Sequence, residues 1–233
     1  MRRFYDPHIA VSATTHTLSE EESKHIVRVL RMQVGDQLEM VDGKGTLFTC
    51  AISSAHPKKC ELKVLSVQTS VPETYQIHIV VGPTKQTDRL EWFMEKATEI
   101  GITELSFLTT KNAERAQLKL DRLEKKAIAA LKQSKRLFLP KINPLTSFEN
   151  FVQEHPNGLI AHCMEGKMNA FESVFSPQDC PILIGPEGDF TPEEVSFALE
   201  NGYKTITLGK NRLRTETAAL YVCMRAKLMT DHA

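Results

Sequence analysis

The sequence lacks the features of several common protein classes. Its five cysteines are scattered and include no CxxC pair, which argues against a disulfide framework or a zinc site and favours reduced thiols. No apolar run approaches the length of a membrane span, and residues 1–8 contain no apolar segment typical of a signal peptide. We therefore expect a cytoplasmic protein that binds no membrane and no metal.

Familiar catalytic and nucleotide-binding motifs are also missing. The chain has no GxGxxG after a strand, no GxxxxGK[ST], no HExxH and no GxSxG. Its 29 basic and 29 acidic residues give a formal net charge of zero. The overall charge therefore does not indicate a nucleic-acid partner, and such an argument must depend on local patches.

The hydrophobic pattern divides the 233 residues into two parts. Residues 1–70 combine a helix, capped at Ser19 and reaching about residue 30, with a hairpin that turns at residues 42–45. This pattern predicts a small, mostly β domain, followed by a linker at residues 69–75. Basic residues of this part could face RNA, although a solvated surface is at least as plausible: Arg2, Arg3, Arg28, Arg31, Lys58 and Lys59.

Strand and helix patterns alternate from residue 76 to the end of the sequence. Buried-strand runs occur at residues 77–81, 105–108, 159–163, 182–184 and 205–208, and a helix capped by Asp88 is expected to end at Gly101. A long helix is expected around residues 118–137. Such alternation predicts a parallel sheet with helices on both faces, whose ligands lie beyond the carboxyl ends of the strands.

One stretch carries a local excess of positive charge. Ten basic and three acidic residues lie between Lys111 and Lys141, Arg115 and Arg136 among the basic ones. A stripe of this kind is typical of a protein that binds a polyanion, although a solvated helix face would show the same composition.

Two segments near the carboxyl end have the pattern strand, loop, helix. The first joins a strand at residues 182–184 to a helix that Thr191 should cap, with Pro192 and Glu194 in its first turn. Its loop contains Glu187 and Asp189, which would repel a phosphate and favour a neutral or cationic ligand. A turn with two solvated acids is the alternative.

The second segment repeats this pattern around a basic loop. A strand at residues 205–208 leads into residues 209–214, and Thr215 is expected to cap the last helix. Arg212 and Arg214 could be solvated surface charges, and Glu216 could merely stabilise the helix dipole.

These segments, with two others, resemble the RsmE family of the SPOUT superfamily, the 16S ribosomal RNA uridine-N3 methyltransferases. The resemblance rests on IGPEG at residues 184–188, LGKNRLRTETA at 208–218, HIVRVLRMQVGD at 25–36, and KATEIG at 96–101 followed by Gln133-Ser134, Arg136 and Pro140. The sequence departs from the family pattern at Asp189, where a third glycine is frequent, at Lys132, where an acid is frequent, and at residues 210–212.

The resemblance implies an α/β protein with a PUA-like RNA-binding β-barrel at residues 1–70. It further implies a SPOUT methyltransferase domain at residues 76–233, with a mainly parallel sheet, helices on both faces and a trefoil knot. It also implies a homodimer, S-adenosylmethionine as cofactor, and 16S rRNA or the 30S subunit as partner.

Carried over by position, the resemblance implies the following cofactor-binding residues: Gly185, Pro186, Glu187, Gly188, Leu208, Gly209, Leu213, Thr215 and Ala218. We expect Arg214 to stabilise negative charge on the uridine and Glu216 to act as a base or to orient Arg214. The expected RNA-binding residues are Arg2, Arg3, Arg28, Arg31, Lys85, Arg115 and Arg136.

The expected activity is methyl transfer from S-adenosylmethionine to uridine N3 of 16S rRNA. Two alternatives share this fold, a non-catalytic RNA-binding or ribosome-assembly protein and a SPOUT methyltransferase acting on tRNA. Intact motifs at residues 185–188 and 214–216 argue against the first alternative.

Overall fold

The computed structural model describes residues 1–113, 118–178 and 180–231. It comprises two compact units, one formed by residues 1–72 with 131–139 and the other by residues 73–130 with 140–233. Each unit has its own sheet.

The first unit is built on a five-stranded sheet with the strand order β1-β3-β4-β5-β2. Strand β1 pairs in parallel with β3, and the other pairs are antiparallel. Apolar residues alternate along β4, so Phe48, Cys50 and Ile52 enter the core of this unit. The strands are β1 (Arg3–Tyr5), β2 (Thr15–Thr17), β3 (Gln37–Val41), β4 (Thr46–Ser54) and β5 (Glu61–Thr69).

The helix predicted from residue 19 to about residue 30 is only partly α-helical. Helix α1 spans Glu20–Lys24, and Ser19 caps it by accepting a hydrogen bond from Glu22 N at 3.2 Å. The next turn, His25–Val29, is π-helical, with Leu30 N donating to His25 O at 2.9 Å. The wider turn keeps Ile26 in the core while His25, Arg28 and Val29 are exposed.

The second unit is built on a seven-stranded parallel sheet, as the alternating pattern predicts. Its strand order is β10-β12-β9-β11-β6-β7-β8. The strands are β6 (His78–Val81), β7 (Glu104–Thr109), β8 (Lys141–Ser147), β9 (Leu159–Ala161), β10 (Asn169–Ala170), β11 (Ile182–Ile184) and β12 (Lys204–Thr207). The helices are α2 (Thr87–Ile100), α3 (Leu120–Ser134), α4 (Phe148–Glu154), α5 (Phe171–Val174), α6 (Pro192–Glu200) and α7 (Thr215–Asp231).

Helices cover both faces of the parallel sheet. Val80 and Leu183 share a core cluster with apolar residues of α4 and α6. Their neighbours Ile79, Ile182 and Ile184 point to the other face because side chains alternate along a strand, and α7 packs against β6 and β11 and also against α2. The strands are therefore fixed between two helical layers, which holds the loops at their carboxyl ends in place.

Several predicted helix boundaries need correction. Helix α2 begins at Thr87 after Gln86, so Asp88 lies in its first turn and is not its cap. Its predicted end at Gly101 is confirmed, because Gly101 has a φ of +118° and donates its N–H to Ala97 O. Helix α3 is shorter than the predicted helix at residues 118–137.

A partly buried polar network lies at the amino ends of β6, β7 and β8. One oxygen of Glu104, Oε1, accepts hydrogen bonds from Lys141 Nζ at 2.8 Å and Asn143 Nδ2 at 2.6 Å. Burial alone would raise the pKa of Glu104, but these hydrogen bonds and the nearby positive charge outweigh it and leave the pKa below its usual value. The network joins strand β8, which the sequence pattern does not predict, to β7.

Candidate active site

A cavity of about 720 Å³ lies at the carboxyl ends of the parallel strands in the second unit. Its walls come from the residues after β9, a first loop at residues 185–189, a second loop at residues 208–214 and the start of α7. The wall includes eight of the residues predicted to bind cofactor: Gly185, Pro186, Glu187, Leu208, Gly209, Leu213, Thr215 and Ala218. Among the residues described by the structure, Gly188 does not line it.

The first loop is tightly folded because glycines allow close packing around it. Asp189 N donates to Pro186 O at 3.0 Å, which closes a turn. A Cβ atom on Gly82, at the end of β6, would lie 2.7 Å from Pro186 Cδ and 2.9 Å from Pro186 N. A Cβ atom on Gly185 would lie 3.1 Å from Asp189 Oδ1. Glycine at both positions therefore lets the chain pack closely around Pro186.

Hydrogen bonds join the first loop to three neighbouring segments. Glu187 Oε1 accepts from Lys85 N at 3.1 Å, after β6. Asn112 Nδ2, after β7, donates to Gly188 O at 3.1 Å and Asp189 O at 3.2 Å. Thr215 Oγ1, at the start of α7, donates to Gly185 O at 2.8 Å. These contacts hold the first loop in place, so this wall of the cavity is already ordered before a ligand binds.

The capping box predicted for α6 is confirmed. Thr191 Oγ1 accepts from Glu194 N at 3.2 Å, and Glu194 Oε2 accepts from Thr191 N at 2.8 Å, with Pro192 in the first helical turn. Glu194 Oε1 also accepts from Lys111 N at 2.8 Å. The same carboxylate thus fixes both the start of α6 and the segment after β7.

The second loop is open and basic. Gly209 has a φ of +110°, and a Cβ atom built on it would meet no atom within 4 Å. The side chains that follow are exposed and line the cavity: Lys210, Asn211, Arg212 and Arg214. With Arg89 from α2, four basic residues face two acidic ones, Glu187 and Asp189, around the cavity. This excess of positive charge favours an anionic partner at the cavity mouth.

Arg214 stands at the junction of the second loop and α7. Its carbonyl oxygen accepts from Ala218 N at 2.8 Å, so Arg214 immediately precedes the helix and its side chain is exposed in the cavity wall. Thr215, predicted as the cap of this helix, is instead its first residue. Its hydroxyl donates a hydrogen bond to Gly185 O, and nothing in the sequence predicts this contact.

Glu216 is only 8 % exposed, and within the described parts of the chain it does not line the cavity. Its Oε1 lies 3.7 Å from Arg89 Nε, and its Oε2 is buried with no hydrogen-bond partner among the described residues. Arg89 does line the cavity, although nothing in its local sequence predicts a site residue there. The structure therefore pairs Glu216 with Arg89.

His162 and Cys163, which follow β9, form another part of the wall. Met164 N donates to His162 Nδ1 at 3.2 Å. Burial lowers the pKa of His162, and the negative charge of Asp189 opposes that shift only in part. Burial and the nearby Asp189 carboxylate raise the pKa of the Cys163 thiol, although the side chain is exposed. These shifts favour a neutral imidazole and a neutral thiol beside the cavity.

The predicted RNA-binding residues have different environments. In the first unit Arg2, Arg28 and Arg31 are exposed. Arg3 has a side chain only 7 % exposed, pairs with Glu39 Oε2 at 2.9 Å and donates to Arg136 O, so it serves the packing of that unit. In the second unit Lys85 is exposed. Arg115 lies outside the residues that the structure describes.

The described residues form neither a metal-binding cluster nor a membrane-spanning helix. No group of three or more His, Cys, Asp or Glu side chains there is arranged to hold a metal ion. Within the same residues, no helix combines the length and the apolar character needed to cross a bilayer.

Comparison with protein families and known structures identifies the family of this chain. The family model for the RNA methyltransferase domain matches residues 71–227, more than half of the chain. The chain belongs to the RNA methyltransferase family. In this RNA methyltransferase, residues 18–65 also match the family model for the RNA methyltransferase PUA domain.

Relatives of this RNA methyltransferase match it nearly end to end. The ribosomal RNA small subunit methyltransferase E of Bacillus subtilis (strain 168) is 30% identical over 236 residues, which cover 94% of this chain and 92% of that protein. A probable rRNA-methyltransferase from Porphyromonas gingivalis has a TM-score of 0.90 and 37% identity, covering 100% of this chain and 99% of that one. The ribosomal RNA small subunit methyltransferase E of Neisseria gonorrhoeae, bound to S-adenosyl methionine, has a TM-score of 0.85 and 26% identity, covering 98% of both chains. The resemblance to the RsmE family is confirmed.

Proposed function

We propose that this RNA methyltransferase transfers a methyl group from S-adenosylmethionine to N3 of a uridine in 16S rRNA of the small ribosomal subunit. The observation that carries the proposal is the cavity, because its walls bring together the two loops on which the family resemblance rests. The relatives from Bacillus subtilis and Neisseria gonorrhoeae, which are named as small-subunit ribosomal RNA methyltransferases, support the choice of substrate.

The residues of the cavity suit S-adenosylmethionine. A volume of about 720 Å³ is within the usual range for a site that holds a small molecule. Glu187 and Asp189 tolerate the positive sulfonium of this cofactor, whereas they would repel a phosphate. The open space beside Gly209 lets a ligand approach the backbone. When bound, the cofactor supplies an electrophilic methyl group.

Arg214 has the position needed to assist the uridine. N3 of uridine carries a proton, and its lone pair becomes nucleophilic only as that proton leaves. The negative charge that develops spreads to the neighbouring carbonyl oxygens, where a fixed guanidinium stabilises it. Arg214 is exposed in the cavity wall, and its backbone is held at the start of α7, so we assign it this role.

For Glu216 we propose a positioning role. Its carboxylate lies 3.7 Å from Arg89 Nε and outside the cavity lining, so it can orient the Arg89 guanidinium at the wall. Arg89 then adds a second positive charge near the substrate. Direct proton abstraction by Glu216 would need movement of the start of α7.

The test of the catalytic proposal uses Arg214→Ala. We expect this variant to lose about 10²–10³-fold in turnover on small ribosomal subunits, while its affinity for S-adenosylmethionine changes little. Transfer of a labelled methyl group to RNA and calorimetric titration with the cofactor measure the two effects. Turnover at the wild-type rate in this variant would refute the role of Arg214.

We also propose that residues 1–70 bind the ribosomal RNA and that residues 76–233 carry the methyl transfer. The PUA family match at residues 18–65 and the exposed Arg2, Arg28 and Arg31 support the first assignment. Lys85 and Arg136 would add contacts, and Arg115 is kept as a sequence-based candidate. A cytoplasmic location follows from this choice of substrate, because ribosomes act there.

The assembly that we propose is a homodimer of knotted chains. Tyr221, Met224 and Leu228 form an exposed apolar stripe along α7, and Trp92 on the adjoining α2 is exposed as well. Sedimentation of the wild type as a dimer and of Met224→Asp as a monomer would support this interface, whereas a wild-type monomer would refute it. The trefoil knot is part of this proposal because the resemblance to the RsmE family implies it.

A further inference from the structure

The most informative residue outside these assignments is Asp189, the last residue of the first loop. Its φ is +60°, in the left-handed region that glycine, asparagine and aspartate occupy most readily. Glycine, which the resemblance to the family leads us to expect at this position, adopts this conformation readily. Aspartate can replace glycine there without gross strain, and it brings a carboxylate.

The carboxylate of Asp189 bridges two segments of the cavity wall. Its Oδ2 accepts from Cys163 N at 2.7 Å, and its Oδ1 accepts from Phe190 N at 2.8 Å. Strands β9 and β11 are neighbours that end at paired residues, Ala161 and Ile184. The pairing of the two strands ends there, and the hydrogen bond from Cys163 N to Asp189 Oδ2 joins the two segments again at the edge of the cavity.

We propose that Asp189 is a positioning residue of the cofactor site, which clamps the segment after β9 to the first loop. This inference rests on the proposed function, since it assumes that S-adenosylmethionine occupies the cavity. The clamp holds both segments in place before the ligand binds. Binding therefore does not have to include the loss of conformational entropy that ordering these segments would require. We therefore expect the clamp to affect the affinity for the cofactor and not the affinity for RNA.

The charge of Asp189 provides an independent readout at a neighbouring thiol. Burial and then this carboxylate raise the pKa of the Cys163 thiol. Cys163 is exposed, whereas the other four cysteines, Cys50, Cys60, Cys180 and Cys223, are buried. Alkylation of the native protein therefore reports on Cys163, and a cofactor in the cavity should slow it.

The test compares Asp189→Gly with Asn112→Ala. Glycine keeps the positive φ and removes the clamp, whereas Asn112→Ala removes two hydrogen bonds to the same loop from a residue outside the cavity lining. We expect Asp189→Gly to weaken binding of S-adenosylmethionine about tenfold and Asn112→Ala less than threefold. The KM for cofactor should rise in Asp189→Gly while kcat and the KM for RNA stay within twofold.

Two further measurements complete the test. Asp189→Asn keeps the backbone conformation and one acceptor oxygen. Its affinity for S-adenosylmethionine should therefore lie between those of the wild type and Asp189→Gly. If Asp189→Gly does not fold, Asp189→Asn takes its place in the test. Alkylation of Cys163 by iodoacetamide near neutral pH should be faster in Asp189→Gly, because the thiol pKa falls.

The outcomes separate the two proposals. If the wild type does not bind S-adenosylmethionine, the proposed function fails and this inference fails with it. If the wild type binds while Asp189→Gly binds equally well, only the role of Asp189 is refuted. An equal loss in Asn112→Ala would also refute it, because general loosening of the loop would then explain the effect.

Discussion

The first loop is packed against its neighbours, whereas the second loop exposes its side chains at the same cavity. Gly82, Asn112, Cys163 and Thr215 all contact the first loop, from four different segments of the unit. In the second loop, by contrast, Gly209 borders open space and the next three side chains are exposed.

This difference indicates that the two loops have different roles in binding. A wall fixed by hydrogen bonds and close packing loses little entropy when a small ligand binds, which suits the cofactor. Exposed basic side chains can follow an irregular polyanion at little structural cost, which suits RNA. We therefore expect changes in the first loop to affect cofactor affinity and stability. Changes of the exposed basic side chains of the second loop, unlike changes of its cavity-lining residues Leu208, Gly209 and Leu213, should affect RNA binding or turnover.

The largest expected effect is that of Gly82→Ala. The new Cβ atom would lie within 3.0 Å of Pro186 Cδ and N, so the first loop must shift. We expect a loss of about 1–3 kcal/mol in the free energy of unfolding and a loss of at least tenfold in cofactor affinity. Urea denaturation and calorimetry measure these changes. As a control, Asn211→Ala in the second loop should change stability by less than about 0.5 kcal/mol. Unchanged cofactor affinity in Gly82→Ala would contradict the rigid-wall account.

A second comparison uses two threonines on α7. Thr215→Val removes the donor to Gly185 O and leaves a buried carbonyl without its partner, so unfolding should become easier by about 1–3 kcal/mol. Thr217→Val makes the same chemical change at an exposed position two residues away and should have a much smaller effect. Equal effects of the two substitutions, measured by denaturation, would show that the bond from Thr215 does not stabilise the first loop.

The polar network at the amino ends of β6, β7 and β8 should make the stability of the protein depend on pH, independently of both loops. Because the folded state lowers the pKa of Glu104, its ionised form stabilises the fold at pH values above the ordinary pKa of a glutamate. This contribution is lost as the pH falls through the lower, folded-state value. Glu104→Gln should therefore flatten the stability profile in this acidic range and leave cofactor affinity at pH 7 unchanged. Denaturation across this range tests the claim, and an unaltered profile would contradict it.

The smallest expected effect is that of Lys210→Ala in the second loop. If Lys210 contacts a phosphate, the slope of RNA affinity against salt concentration should fall by about one, and affinity at physiological salt should fall a few-fold. Cofactor affinity should change less than threefold. A larger change in cofactor affinity than in RNA affinity would reverse the assignment of the two loops.

Much of the fold follows from local patterns in the sequence. The runs of apolar residues predict the central parallel strands, and Thr191, Pro192 and Glu194 predict the start of α6, because these signals depend on neighbouring residues. Local patterns do not predict strand β8, because its segment Lys141–Ser147 contains Pro144 and polar residues. Its place at the sheet edge explains why proline is tolerated there.

The cavity was only partly predictable for a related reason. Resemblance pointed to the two loops, but the residues that hold them are distant in the sequence and carry ordinary local signals. Asn112, Arg89 and the hydroxyl of Thr215 act through contacts that only the folded chain reveals. The π-helical turn at His25–Val29 likewise follows from packing of Ile26, since its sequence is compatible with an α-helix.

The most direct test of the central claim is to locate the methyl group on the RNA. Small ribosomal subunits without this modification would be incubated with the wild-type protein and S-adenosylmethionine, and the 16S rRNA digested and analysed by mass spectrometry. The account predicts N3-methyluridine at a single position with the wild type, and its formation about 10²–10³-fold more slowly with Arg214→Ala. Methylation of another atom or another class of RNA, or no methylation by a protein that binds the cofactor, would contradict it.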